Sequence, residues 1–287
     1  MKLSDIRIRD PFILPFEDKY YLFGSIGDSW KNNDGFNYHV SNDLKNWSEV
    51  RKCFTPPDDF WAEKEFWAPE VHCYQGEFYT FATFAGGGRM RTCQILKSER
   101  PEGPYKVWSS PITPADWMCL DGTLYIENGK PYMIFCHEWL QARNGEMCAI
   151  ELTQDLKKSV GEPFVLFKAN ENELVVAHPE EDSFVTDGPF MYKTTDGKLL
   201  MLWSCFVKNG YAQAVACSSN GSVFGDWQQC NTLLSDENGG HGMLFNDFNN
   251  KLHYVMHRPN KPYELERAVL FSVDEITEEP FLRITEI

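Results

Sequence analysis

TDGPFMYKTTDGKLLMLWSCF, residues 186 to 206, sets two apolar runs on either side of a turn. Asp187 is followed by Gly188 and Pro189, then by Phe190 to Tyr192. Thr194 to Lys198 supply the polar, glycine-containing break, and from Leu199 aliphatic and aromatic residues run on to Phe206. Taken alone, Asp-Gly-Pro is an ordinary turn, because Asp bonds its own backbone, Gly takes unusual dihedrals and Pro fixes φ. The whole stretch reads as a strand, a tight turn and a second strand. The chain makes this statement five times: RDPFILPFEDKYYLFGS from Arg9, WAPEVHCYQGEFYTFATF from Trp67, LDGTLYIENGKPYMIFCHEW from Leu120, the stretch above, and GHGMLFNDFNNKLHYVMHR from Gly240. Aligned on a leading polar residue, the units place Asp10, Glu70, Asp121, Asp187 and His241 in equivalent positions, with spacings of 60, 51, 66 and 54 residues.

That period is long for a helical repeat and roomy enough for four strands. The segments between hairpins, such as FNYHVSNDLKNWSEV, MCAIELTQDLKKS and YAQAVACSSNGSVFGDWQQC, again read as strand, polar turn and short strand. No window keeps apolar residues at i, i+3, i+4 and i+7 for three helical turns. The expectation is an all-β, five-bladed β-propeller with four antiparallel strands per blade, occupying residues 1–287 as a single domain. An aromatic content of 15% suits strands packed face to face, and no Pro/Gly/Ser-rich linker divides the chain.

The formal net charge of −15 argues against nucleic acid or an anionic membrane surface as a partner and is compatible with a neutral substrate such as a carbohydrate. Nine cysteines without paired metal-ligand spacing read as free thiols of a reducing compartment. The opening MKLSDIRIRDPF has no apolar segment of signal-peptide length, and no stretch reaches the ~18 apolar residues of a membrane helix. A cytoplasmic protein is the expectation.

In a propeller the first strand of every blade lines the central channel, so the leading residues of successive blades should converge. Asp10, Asp121, Asp187 and His241 at one channel mouth point to acid/base chemistry or to a cation.

The five motifs, in order and at blade spacing across nearly the whole chain, resemble glycoside hydrolase family 43. The resemblance implies five-bladed propellers acting on arabinose-, xylose- and sometimes galactose-containing glycans. It implies that Asp10 is the general base, that Asp121 orients and tunes the acid, and that Asp187 is the general acid. The usual residue before Gly-Pro in that family is Glu; Asp187 is one methylene shorter, so its carboxyl retreats by about 1.5 Å. An inverting mechanism needs Asp10 ionised to activate water and Asp187 protonated to release the leaving group, with like-charge repulsion from Asp121 raising the acid's pKa. His241, between glycines, is implied to hold a central ion or water, commonly calcium-linked, with no other cofactor required.

Trp67, Glu70, Glu138, Trp139 and Arg258 are candidates for substrate contacts, Trp30 for a further aromatic wall, and Glu138 also for a reserve acid. The glycine-rich FAGGGRMR lacks the Gly-Lys-Ser/Thr ending of a phosphate loop, which leaves Arg89 or Arg91 as hydroxyl donors. The leading functional reading is an inverting glycosidase that removes terminal α-L-arabinofuranosyl or β-xylosyl residues from oligosaccharide or polysaccharide side chains. Its alternatives are an exo-acting β-galactosidase of the same class, a glycoside phosphorylase, for which a basic cluster is wanting, and a carbohydrate-binding propeller whose acid has decayed. Exo action is expected because the stretch ENELVVAHPEEDS, 171 to 183, has the length to wall a pocket.

Overall fold

A computed structural model describes residues 1–26 and 34–287. Trp30 lies outside the described residues. The chain forms five four-stranded antiparallel sheets, each in simple sequential order. The first blade is β1 (Ile8–Phe16), β2 (Lys19–Ile26), β3 (Phe36–Ser41) and β4 (Arg51–Phe54); the second is β5 (Lys64–Tyr74), β6 (Glu77–Gly86), β7 (Arg89–Ser98) and β8 (Lys106–Val107). The third is β9 (Cys119–Glu127), β10 (Lys130–His137), β11 (Glu146–Leu152) and β12 (Ser159–Lys168). The fourth is β13 (Asp187–Lys193), β14 (Leu199–Val207), β15 (Gly210–Ser218) and β16 (Trp227–Gln229), and the fifth is β17 (Gly240–Asn246), β18 (Leu252–Arg258), β19 (Arg267–Glu275) and β20 (Leu282–Glu286). Among the described residues the one α-helix is a single turn, α1 (Trp139–Ala142). No helix among the described residues is long and apolar enough to cross a membrane.

The core lies between blades. Along β14, Leu199, Met201, Trp203 and Cys205 pack toward Ile134 and Met147 of the third blade, whereas Leu200 and Leu202 pack toward Tyr254 and Met256 of the fifth. The two-residue period of a strand sends alternate side chains to opposite neighbours. A strand sandwiched in this way needs both faces apolar, which is why LLMLWSCF reads as an almost unbroken run. Blade five closes on blade one through Met243, Phe245 and Leu270 packed with Ile6, Ile8 and Phe12, and through the Ile8 amide donating to the Glu266 carbonyl at 3.4 Å. The hairpins at Gln75-Gly76 and Asn128-Gly129 have positive φ at both turn residues, as two-residue turns between twisted strands require.

Each inner strand carries one extra residue near its start. Register slips by one between Arg9 and Phe12, Trp67 and Glu70, Asp187 and Phe190, Gly240 and Met243, and opposite Ile134 and Cys136 in β10. The first residue of every such bulge has positive φ: Asp10 at 54°, Ala68 at 43°, Asp121 at 56°, Gly188 at 48° and His241 at 49°. The second is always Pro or Gly, namely Pro11, Pro69, Gly122, Pro189 and Gly242. At Gly242 the choice is forced, since a Cβ would stand 2.3 Å from the Tyr254 ring. The true equivalents are therefore Asp10, Ala68, Asp121, Gly188 and His241. Asp187 sits one residue before the bulge and Glu70 two residues after its start, which corrects the register read from the sequence.

A second regularity locks the bulges together. Directly across from the residue before each bulge stand Ser25, Thr83, Cys136, Ser204 and His257 on the second strands. Four of these accept the bulge amide of the next blade: Ala68 to Ser25 Oγ at 2.9 Å, Asp121 to Thr83 Oγ1 at 2.9 Å, His241 to Ser204 Oγ at 2.7 Å, and Asp10 to His257 Nδ1 at 3.3 Å. At the third blade the position is a cysteine, a weak acceptor, and the Gly188 amide turns to Asp121 Oδ2 at 3.1 Å.

Candidate active site

The bulges aim their side chains at one mouth of the central channel. Asp10, Asp121, Asp187 and His241, only 5–8% exposed, line a common cavity of about 270 Å³. A left-handed backbone costs an L-residue about 1–2 kcal/mol, and Asp and His tolerate it better than most. That strain recurs at the site because it is the conformation that turns these side chains toward the axis.

Asp10 is surrounded by donors. His241 Nδ1 lies 3.1 Å from Oδ1, Arg9 Nε lies 3.4 Å from the same oxygen, and the Ser25 hydroxyl donates to Oδ2 at 3.0 Å. Burial pushes the Asp10 carboxyl up, but His241 and Arg9 together outweigh it and hold the group well below the usual carboxylate range. The imidazole responds in kind: burial lowers His241, Asp10 and Asp121 raise it, and the balance stands at about 10. His241 is thus an imidazolium. His257, fully buried behind Asp10, is pushed well below its ordinary value by burial and by Arg9. It stays neutral, accepts the Asp10 amide through Nδ1 and turns Nε2 toward Asn260 Oδ1 at 3.5 Å. Arg9 is fixed from behind by Glu266 at 2.8 Å and Asn260 at 2.7 Å.

The opposite wall has no cation of its own. Asp121, Asp187 and His241 offer atoms that all lie within 4.8 Å of one another. Burial and the neighbouring Asp187 carboxyl raise Asp121 well above its ordinary value, against the pull of His241. The two carboxyls face each other across the cavity with atoms less than 4.8 Å apart, and it is Asp121 that their proximity pushes up. Tyr211 donates its hydroxyl to Asp187 Oδ2 at 2.5 Å, and burial with that carboxylate drives the phenol well above its usual range.

Trp67 and Trp139 reach the cavity wall, and one face of the Trp67 ring carries the Arg91 guanidinium at 4.5 Å. Glu138, 1% exposed, also lines the cavity. Burial raises its carboxyl above the ordinary value against the pull of Arg91. Arg91 is the arginine of the glycine-rich hairpin that enters the site, while Arg89 lies over Trp61 at 5.9 Å.

Two expected contacts are not at this mouth. Glu70 points into the channel beyond the acidic ring, where it meets His72 Nε2 at 3.2 Å, because its place after the bulge matches that of Phe12, Thr123, Phe190 and Met243. Arg258 turns outward to Glu237 and Glu286, because strand neighbours face opposite ways and His257 takes the inward position. Arg9, Tyr211 and Ser25 were not singled out from sequence. The adjacency of Arg9 to Asp10 and the recurrence of a hydroxyl or imidazole 15 or 16 residues after the bulge in four of the five blades were the available signals.

A calcium ion held by His241 fits this donor set poorly. Calcium takes six to eight oxygens, and the cluster supplies two carboxyls and one imidazole. Asp121 Oδ2 already accepts the Gly188 amide, Asp187 Oδ2 accepts Tyr211, and His241 Nδ1 holds a proton toward Asp10.

A model of the family described as glycosyl hydrolases family 43 matches residues 4–279. A solved structure of an endo-arabinase from Bacteroides thetaiotaomicron superposes with a TM-score of 0.90 at 39% identity, covering 97% of this chain and 98% of that one. An α-L-arabinofuranosidase structure from Lactobacillus brevis shares the fold, with a TM-score of 0.76 at 15% identity over 96% and 95% of the two chains. A curated xylosidase/arabinosidase of Bacteroides ovatus is 28% identical over 141 residues, and the match spans 42% of each chain.

Proposed function

The chain belongs to glycosyl hydrolases family 43, and we propose that within it the protein is an inverting, exo-acting glycosidase that removes terminal α-L-arabinofuranosyl or β-xylosyl residues from plant-type glycans. The observation that carries this reading is the convergence of carboxyls from three blades on one cavity, where Asp10 faces the cations His241 and Arg9 while Asp121 faces Asp187, so that the first is pushed well below and the second well above its usual range. Inversion needs that asymmetry: one carboxylate to take a proton from water and one acid to release the departing oxygen.

In this reading Asp10 orients a water at the anomeric carbon and accepts its proton as the C–O bond to the aglycone breaks. Asp187 delivers a proton to the leaving oxygen, with Asp121 beside it. Tyr211 occupies Oδ2 of Asp187, which leaves Oδ1 to face the glycosidic oxygen. The shorter arm of Asp187 is met by a sugar seated deeper in the cavity. His241 and Arg9 keep Asp10 charged when the sugar excludes water, and no step runs through a metal ion. Exo action is supported by His178, Glu180 and Glu181, which wall the cavity, and by Lys261 reaching from the fifth blade to Glu180 at 3.4 Å across the rim.

The test is a panel of aryl α-L-arabinofuranosides, β-xylosides and β-galactosides, followed by linear arabinan. Release of a terminal pentose from the first or second class is expected. A β-galactoside as best substrate, or binding without turnover, would replace this assignment. The likeness to the endo-arabinase favours a second reading, cleavage within the arabinan chain, and internal products would select it.

A further inference from the structure

Glu138 ends β10 and opens α1, and its backbone is tied on both sides. Its amide donates to the Met118 carbonyl at 2.7 Å, and its own carbonyl accepts from Gln141 at 3.1 Å and Ala142 at 2.9 Å. The side chain is buried in the cavity wall. Oε1 receives Arg91 NH1, but Oε2 has no hydrogen-bond partner among the described residues. An unpartnered buried carboxylate oxygen is costly unless something that enters the site satisfies it.

Arg91 does not supply that partner, because it is already committed. Its Nε donates to Glu65 Oε2 at 2.7 Å, its NH1 to Glu138, and its plane rests on Trp67. Glu65 also meets Lys64 Nζ at 3.5 Å, so Arg91 and Lys64 together balance the two carboxylates. The cavity lining is mixed, with Arg9, His241 and Lys261 beside Asp10, Glu180 and Glu181. At Oε2 itself, an acceptor with no donor of its own, a neutral hydroxyl fits.

We propose that Glu138 is the specificity-determining residue of the glycone pocket, its Oε2 accepting a hydrogen bond from one hydroxyl of a neutral terminal sugar, with Arg91 and Trp67 fixing its position. The inference rests on the glycosidase reading for the identity of the ligand. It also assigns a preference: glycosyl groups lacking that hydroxyl are rejected. Loss of a hydrogen bond to a charged group corresponds to about tenfold to a hundredfold in affinity.

Binding of free L-arabinose and D-xylose is measured by calorimetry on wild type, Glu138→Gln and Arg91→Lys, alongside kcat and KM on the best aryl glycoside and its monodeoxy analogues. Melting curves confirm that each variant is folded. Glu138→Gln should weaken the preferred free pentose at least about tenfold and raise KM more than it lowers kcat, equally for good and poor leaving groups. One monodeoxy analogue should no longer distinguish wild type from Glu138→Gln, and Arg91→Lys should give an intermediate loss. Unchanged pentose affinity in folded Glu138→Gln overturns the proposal. So does a loss that grows as the leaving group worsens, which would make Glu138 the proton donor. Because sugar binding is read without turnover, failure of the hydrolase reading is seen separately, as a protein that binds pentose and releases nothing.

Discussion

On the wall built by the first and fifth blades, Asp10 meets an imidazolium, a guanidinium and a hydroxyl; on the wall built by the third and fourth, Asp121 and Asp187 meet each other and a phenol. Burial is similar on both sides, at 5–8% exposure. What differs is the balance of the neighbours: His241 stands 3.1 Å from Asp10, with Arg9 beside it, but 3.8 Å from Asp121, where the Asp187 carboxyl opposes it, and this sends one carboxyl down and the other up. A chain with a net charge of −15 needs only two placed cations to set this contrast.

The contrast breaks most completely at Asp10. Asp10→Asn should lower kcat/KM by about 10⁴-fold on every aryl glycoside, since a general base contributes up to that order. Next comes Asp187→Asn, for which a loss of about 10²-fold is expected on poor leaving groups and little on dinitrophenyl glycosides, which depart without a proton. A uniform loss would remove Asp187 from the acid role.

His241→Asn sharpens the comparison by withdrawing one cation while keeping a residue that tolerates the left-handed bulge. The acid limb of the kcat/KM profile should move up by about one pH unit, with a drop that approaches about tenfold below the wild-type limb. Stability carries its own signature. His241 is raised from 6.5 to about 10 on folding, so its contribution is complete below pH 6.5 and is lost as the pH rises through about 10. The wild-type melting temperature should fall across that window, and the variant's dependence should be flatter. The smallest effect is expected from Cys136→Ser, which gives the third blade the hydroxyl that three others carry. The Gly188 amide gains a second acceptor, Asp121 loses part of a bond that favours its charged form, and the basic limb of the profile should rise slightly with less than about a threefold change in rate.

The blade repeat was legible because each bulge leaves a covalent mark, a Pro or Gly in its second position, and because inter-blade strands must be apolar on both faces. The lead register was legible only where the polar residue and the bulge coincide, at Asp10, Asp121 and His241. At Asp187 and Glu70 a polar residue lies beside the bulge, and nothing in the sequence distinguishes the two cases. A shift of one or two positions then decides between the acidic ring, where Asp187 still reaches, and the channel beyond it, where Glu70 goes. The same alternation explains Arg258: only the pairing of β17 with β18 fixes which of two adjacent basic residues turns inward. Tyr211 left no signal, being one aromatic on an aromatic-rich strand, and its role exists only through the 2.5 Å approach to Asp187.

The odd link at the third blade has a practical consequence. Of the five bulge amides, Gly188 is the one bonded to a carboxyl oxygen, and that oxygen belongs to Asp121. In a ¹⁵N-labelled sample its resonance becomes an internal indicator, moving as Asp121 gains or loses its proton, while the amide of Ala68, held by the Ser25 hydroxyl on a blade away from that pair, serves as the reference. The protonation of the acidic ring can therefore be followed at a glycine, with and without sugar present, before any residue is changed.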